Sequence, residues 1–213
     1  MIGNNLSTQK TAYTSFPNAS VVTDRFHVAK LIAEAVQEIR IKHRWKAIEQ
    51  ENKAIKEAKK LDIKYTAPTF ENGDTKKQLL ARSRYLLFKP SNKWTESQKI
   101  RAEILFKEYP DIKKAYELSM MFRNIYETSK SKLQANEKFT QWNQKVKQYN
   151  FDSFVTASES IISHKKTILN FFTNRTTNAL AEAFNSKIKA FRSVFRGVRD
   201  IQFLLFRVSL IFA

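Results

Sequence analysis

The sequence contains no cysteine, three glycines, four prolines and only 20 acidic residues against 38 Lys plus Arg. Without thiols there is no disulfide framework and no thiolate zinc site, which points to a reducing, cytoplasmic setting. So few glycines and prolines leave little room for tight turns, and the chain reads as mostly helix. There is no GxxxxGK[ST] phosphate loop, no GxGxxG fingerprint and no HExxH pair. Nucleotide hydrolysis and zinc proteolysis therefore have no support. No period repeats and no segment is low in complexity. Nothing reads as a secretory signal. The most apolar stretch, Ile201 to Ala213, is about half of the roughly 20 residues a membrane span needs and is interrupted by Arg207. It reads as a buried terminal helix, and no membrane partner is expected.

What is present is a large apolar share and a large positive charge. The chain has 213 residues, 42% hydrophobic, with 17 Phe, enough for one or two domains with a real core. The net charge of +18 attracts polyanions, nucleic acid first and an anionic membrane second. The cations are interleaved with aromatics rather than gathered in a tail, which favours a folded binding surface.

Taken in order, Ser20 to Thr23 (S-V-V-T) reads as a short buried strand. Asp24-Arg25-Phe26-His27 follows. Polar residues after a strand often face a site, but an Asp there also caps a helix, and on spacing alone the cap is the better reading. Val28, Leu31, Ile32, Ala35, Val36 and Ile39 keep helical spacing, continued more loosely through Trp45 and Ile48 to Lys60. A loop is expected at Ala67-Pro68 and Asn72-Gly73-Asp74. The next helix carries Leu79, Leu80 and Leu87 and stops before Pro90. Thr95-Glu96-Ser97-Gln98 is a capping box opening a helix with Ile100, Ile104 and Leu105. After Pro110 comes the stripe Ile112, Ala115, Leu118, Phe122 and Ile125, then helices near 132–149 and 152–172. Trp45, Trp94 and Trp142 read as core or groove-edge residues rather than base-stacking platforms.

From Asn174 to Arg196 no glycine or proline intervenes. Wound at about 100° per residue, Leu180, Phe184, Ile188, Phe191 and Phe195 share one side. Asn178, Glu182, Asn185, Lys189 and Arg196 lie opposite, with Arg192 at the margin. The pattern allows two readings: a solvated polar face, or a metal-binding carboxylate presented to a polyanion among phosphate-gripping cations.

Several stretches bear on that choice. F-P-N-A-S-V-V-T-D-R-F-H-V at 16–28, L-L-F-K with W-T-E-S-Q at 86–98, Y-P-D-I-K-K-A-Y at 109–116, R-T-T-N-A-L-A-E-A-F-N-S-K-I-K at 175–189 and F-R-G-V-R-D at 195–200 resemble bacterial insertion-sequence transposases of the ISL-three family. The similarity runs in order through essentially the whole chain. It implies a ribonuclease-H-like α/β core carrying two Asp and one Glu that bind divalent metal, interrupted by a long all-helical insertion. The fold class expected is thus mostly α, with residues 1–27 a core segment, 28–172 the insertion, and 173–213 the basic helix that completes the core.

Carried over residue by residue, Glu182 is similar to the third acidic ligand. Asp24 and His27 are similar to the Asp-x-x-His signature that follows the strand before the insertion. The alternative makes Asp24 the second catalytic Asp, and in either role it is a metal-binding candidate beside Glu182. Arg175, Lys187, Lys189, Arg192 and Arg196 are expected near the DNA backbone. In the intact family, two Mg²⁺ ions held by three carboxylates activate water and then a 3′-hydroxyl for attack on DNA phosphodiesters; oxygen ligands suit such a hard cation.

The chain departs from that pattern in having no Asp or Glu in residues 1–23. The expectation is a C-terminal portion of a transposase, without the zinc-binding and helix-turn-helix regions and inactive alone. Its partners would be DNA and a full-length transposase or a second copy. The rival expectation is a non-catalytic basic helical protein that binds DNA or dimerises with a transposase.

Overall fold

The computed structural model describes residues 21–174 and, further on, residues 186–187, 189–193, 200, 202–203, 206–207 and 210. The chain divides into two compact units, Met1–Asn174 and Arg175–Ala213. The described part of the first unit is all helical apart from its connections, and no strand occurs among the described residues.

Helix α1, Arg25–Lys60, runs 36 residues, about 54 Å at roughly 1.5 Å per residue. Val28, Ile32, Ala35, Val36, Ile39 and Ala47 form its buried stripe. Beyond Ala47 the mixed-sign charges leave it largely exposed. Helices α2 (Lys76–Arg82), α3 (Glu96–Glu108), α4 (Pro110–Thr128), α5 (Lys132–Tyr149), α6 (Asp152–Ser163) and α7 (Lys165–Asn174) complete the unit. The long helix packs on α2, α4 and α6, while α4 also packs on α3 and α5, and α5 on α6 and α7.

Local chemistry sets the ends. Thr75 with Gln78 and Thr95 with Gln98 form reciprocal capping boxes at α2 and α3. Pro110 takes the first position of α4, where its missing N–H costs nothing. Asn150 closes α5 in the left-handed conformation, φ 50°. The centre of the unit is aromatic: Phe122 meets Phe139 and Trp142 at ring separations of 5.5 and 4.9 Å, and Tyr126 meets Phe171 and Phe172, each at 5.3 Å. The Trp142 indole donates to the Leu118 carbonyl at 3.0 Å, so the ring is buried with its one polar group satisfied.

Five expectations require correction. Val21–Thr23 is not a strand. Its backbone groups bond to α7 instead: the Thr23 N–H donates to the Thr167 carbonyl (3.1 Å) and the Asn170 amide to the Val21 carbonyl (2.9 Å). The helix expected to reach Leu87 ends at Arg82. There the Arg84 N–H turns to the Ala81 carbonyl, the Arg40 guanidinium takes the Leu80 carbonyl at 2.7 Å, and the Gln37 amide takes the Arg84 carbonyl at 3.2 Å. The helix near 152–172 is two, divided at His164. Trp45 is 60% exposed, because it lies where the buried stripe of α1 gives out. In the second unit, Asp200 caps a helical segment by accepting from the N–H groups of Gln202 (2.8 Å) and Phe203 (3.1 Å). Phe203, Phe206 and Leu210 are exposed there, so the described part of the terminal helix is not buried. No helix among the described residues is long and apolar enough to cross a membrane.

Asp74 has no exposure to solvent, and Arg82 and Arg101 both bind its carboxylate, Arg101 Nε at 2.8 Å. Burial pushes its carboxyl up, but the two guanidinium hydrogen bonds outweigh that and leave it below the usual range. A depressed folded value means the contribution is present above the unfolded carboxyl value of about 3.9 and is lost as pH falls below it. Asp74→Asn should lower unfolding stability at pH 7 by about 2 kcal/mol or more in urea titration, since two cations lose their partner. The loss should shrink below about pH 4. A deficit that did not change with pH would contradict the ionic assignment.

Candidate functional site

Asp24 stands at the head of α1 with extended backbone (φ −61°, ψ 127°), and its Oδ1 accepts from the Phe26 N–H at 2.9 Å. This is helix capping, where a carboxylate also meets the positive end of the helix dipole. The imidazole of His27, one turn on, lies with Nε2 3.8 Å from Asp24 Oδ2. His27 is exposed and the Asp24 side chain mostly covered.

The surroundings of Asp24 are fastened from two sides. Behind it, Thr23 and Val21 are bonded to α7, and the Thr23 and Thr167 hydroxyls lie 2.6 Å apart. Beside it, the Arg25 guanidinium lies 5.2 Å from the Tyr126 ring centroid and 3.8 Å from Glu127. Arg123 holds the same Glu127 at 3.3 Å. Burial pushes the Tyr126 phenol far up; Arg25 opposes this and Asp24 adds to it. The Tyr126 hydroxyl has no hydrogen-bond partner among the described residues. Arg25, Tyr126 and Glu127 were not among the residues marked by the sequence. Their signals were weak: an i,i+4 Arg123–Glu127 pair, and a Tyr one position past a stripe residue.

Among the described residues no group of three His, Cys, Asp or Glu is placed to hold a metal ion. Asp24 brings one carboxylate, already engaged as a cap, and His27 a nitrogen that Mg²⁺ disfavours. These two residues do not by themselves fit a Mg²⁺ site. Glu182, Arg175 and Arg196 lie outside the described residues.

Lys187, Lys189 and Arg192 belong to helical residues of the second unit and are exposed. None of them enters an ion pair among the described residues. Nearby, the Ser193 hydroxyl donates to the Ala190 carbonyl at 2.6 Å. Unpaired, solvent-facing cations on a helix can neutralise phosphates at little desolvation cost.

A family model described as a transposase, of the DDE type and the ISL-three group, matches residues 7–208. No curated protein and no solved structure matches the chain.

The capping role of Asp24 is directly measurable. Asp24→Ala should cost about 1 kcal/mol in thermal or urea unfolding, while Asp24→Asn, which keeps the acceptor, should recover most of it. Equal losses in both variants would show that charge, not capping, is what the position supplies.

Proposed function

The chain belongs to the ISL-three family of transposases, and on that premise we propose that it serves DNA transposition by gripping the DNA backbone through its C-terminal basic helix. Lys187, Lys189 and Arg192 make phosphate contacts there, joined by Arg175 and Arg196, and Glu182 is the metal-binding carboxylate of that helix. The observation that carries the reading is the set of exposed cations at 187, 189 and 192, none of which enters an ion pair among the described residues. Phosphate contacts of this kind position DNA without reading its sequence. We propose as well that residues 28–172 are a helical insertion in a ribonuclease-H-like core.

These residues alone are proposed to support little strand transfer. Residues 1–23 hold no carboxylate, and Asp24 is engaged at its helix. That engagement also favours a second reading, in which the chain binds DNA or pairs with a transposase and Glu182 has no metal role. The two readings separate on binding alone. If Glu182 binds metal, Glu182→Gln should abolish a Mn²⁺-dependent change in DNA affinity seen in the unaltered chain. If the second reading holds, the two proteins respond alike to Mn²⁺.

Replacing Lys187, Lys189 and Arg192 together by Ala should weaken duplex binding and flatten the plot of log affinity against log salt by roughly 0.9 per lost phosphate contact. An unchanged slope would refute the proposed interface. On supercoiled plasmid with Mg²⁺ or Mn²⁺, nicking by the chain alone should stay near background, and robust Glu182-dependent nicking would contradict the proposal.

A further inference from the structure

From Thr75 to Thr95 the chain has no Asp or Glu, yet it carries Lys76, Lys77, Arg82, Arg84, Lys89 and Lys93. The part between α2 and α3 is bound firmly to the helical unit. Leu86 and Leu87 are buried. The Trp94 indole donates to the Leu86 carbonyl at 2.8 Å, the Tyr116 hydroxyl to the Lys89 carbonyl at 2.9 Å, and Arg123 to the Phe88 carbonyl at 3.4 Å. On the α1 side, Gln37 holds the Arg84 carbonyl, and Gln37 is itself held by the buried Arg40 guanidinium at 2.6 Å. The bonds to the carbonyls of Arg84, Leu86, Phe88 and Lys89 fix the backbone, while the side chains of Arg84, Tyr85, Phe88, Lys89 and Lys93 stay exposed.

Those side chains are aromatic and cationic. Tyr85 is 65% and Phe88 38% exposed. Tyr85 precedes the 3₁₀ turn Leu86–Phe88 and Phe88 ends it, three residues apart, a spacing that puts side chains on one side of such a turn. The Arg84 guanidinium lies 5.5 Å from the Tyr85 ring centroid. Arg84, Lys89 and Lys93 enter no ion pair among the described residues. The carboxylates bounding the stretch are taken, Asp74 by Arg82 and Arg101 and Glu96 by Lys99 at 2.7 Å.

We propose that this anchored turn, Arg84–Lys93, is a binding surface for single-stranded DNA. Arg84, Lys89 and Lys93 face its phosphates, and Tyr85 and Phe88 stack on unpaired bases. The proposal rests on the family's traffic with DNA but involves none of the residues of the basic helix. Duplex DNA would use the cations and leave the rings idle, because its bases already stack on one another. Two exposed rings within a basic rim are matched by a strand whose bases are free.

The test is fluorescence anisotropy with the full chain, a labelled oligothymidylate of about 20 nucleotides and a labelled duplex, a length that covers more than one such site. Tyr85→Ala with Phe88→Ala should lose about tenfold or more in single-strand affinity, barely alter duplex binding and leave the salt slope unchanged. Arg84→Ala with Lys89→Ala should flatten the single-strand slope by roughly 0.7 for each phosphate lost. Should the double aromatic variant fail to fold, Tyr85→Ala alone, at a mostly exposed position, must still show a severalfold single-strand loss. Single-strand binding within twofold of the unaltered chain in a folded aromatic variant overturns the proposal. If duplex binding then still depends on Lys187, Lys189 and Arg192, the transposase reading stands without this surface.

Discussion

Burial of the apolar stripe on α1 is the constraint from which the rest of the first unit follows. Val28, Ile32, Ala35, Val36 and Ile39 are nearly inaccessible, pressed between α2, α4 and α6. A helix is stiff, so fixing this stripe fixes everything else along its length. It holds Asp24 at the N-terminal end beside Arg25, Tyr126 and Glu127. Midway it sets Arg40 where it can close α2 and support the turn after it. Past Ala47 the stripe ends, and the helix continues as a charged rod.

A folded chain with net charge +18 repels itself. Two carboxylates each offset a pair of cations. Asp74 neutralises two guanidiniums beside α2 and α3, and Glu127 bridges Arg25 and Arg123. Even buried Arg40 is matched by a helix carbonyl and an amide, without a carboxylate; burial, with Arg44 and Arg84 nearby, lowers its value to about 10. Asp74 is thus consumed inside, while Lys187, Lys189, Arg192, Arg84, Lys89 and Lys93 are exposed and enter no ion pair among the described residues. Nucleic acid is the partner that relieves such a surplus, through release of its own counterions.

Much of this was legible in the residues. Spacing of 3 and 4 marked the stripes of α1 and α4, a helix was expected near 132–149 where α5 lies, and T-E-S-Q announced the start of α3. What escaped depended on distant partners. Val21-Val22-Thr23 has strand composition, but its hydrogen bonds go to Thr167 and Asn170, nearly 150 positions away. The end of α2 at Arg82 is met by Gln37 and Arg40 from another helix, which bond the carbonyls of Arg84 and Leu80. For the site, capping by Asp24 was readable from D-R-F-H, whereas Glu182 lies outside the described residues. The stretch without acids between Asp74 and Glu96 was visible as composition. Only the fold shows that its turn is pinned by Trp94, Tyr116 and Arg123.

The central claim is that the surplus charge exists to meet DNA phosphates. Its most direct test is the binding of the unaltered chain to plain duplex DNA across a salt series, read as the slope of log affinity against log salt. Several phosphate contacts predict a steep slope of about −3 or below. Affinity that was absent, or that stayed flat as salt rose, would contradict the account.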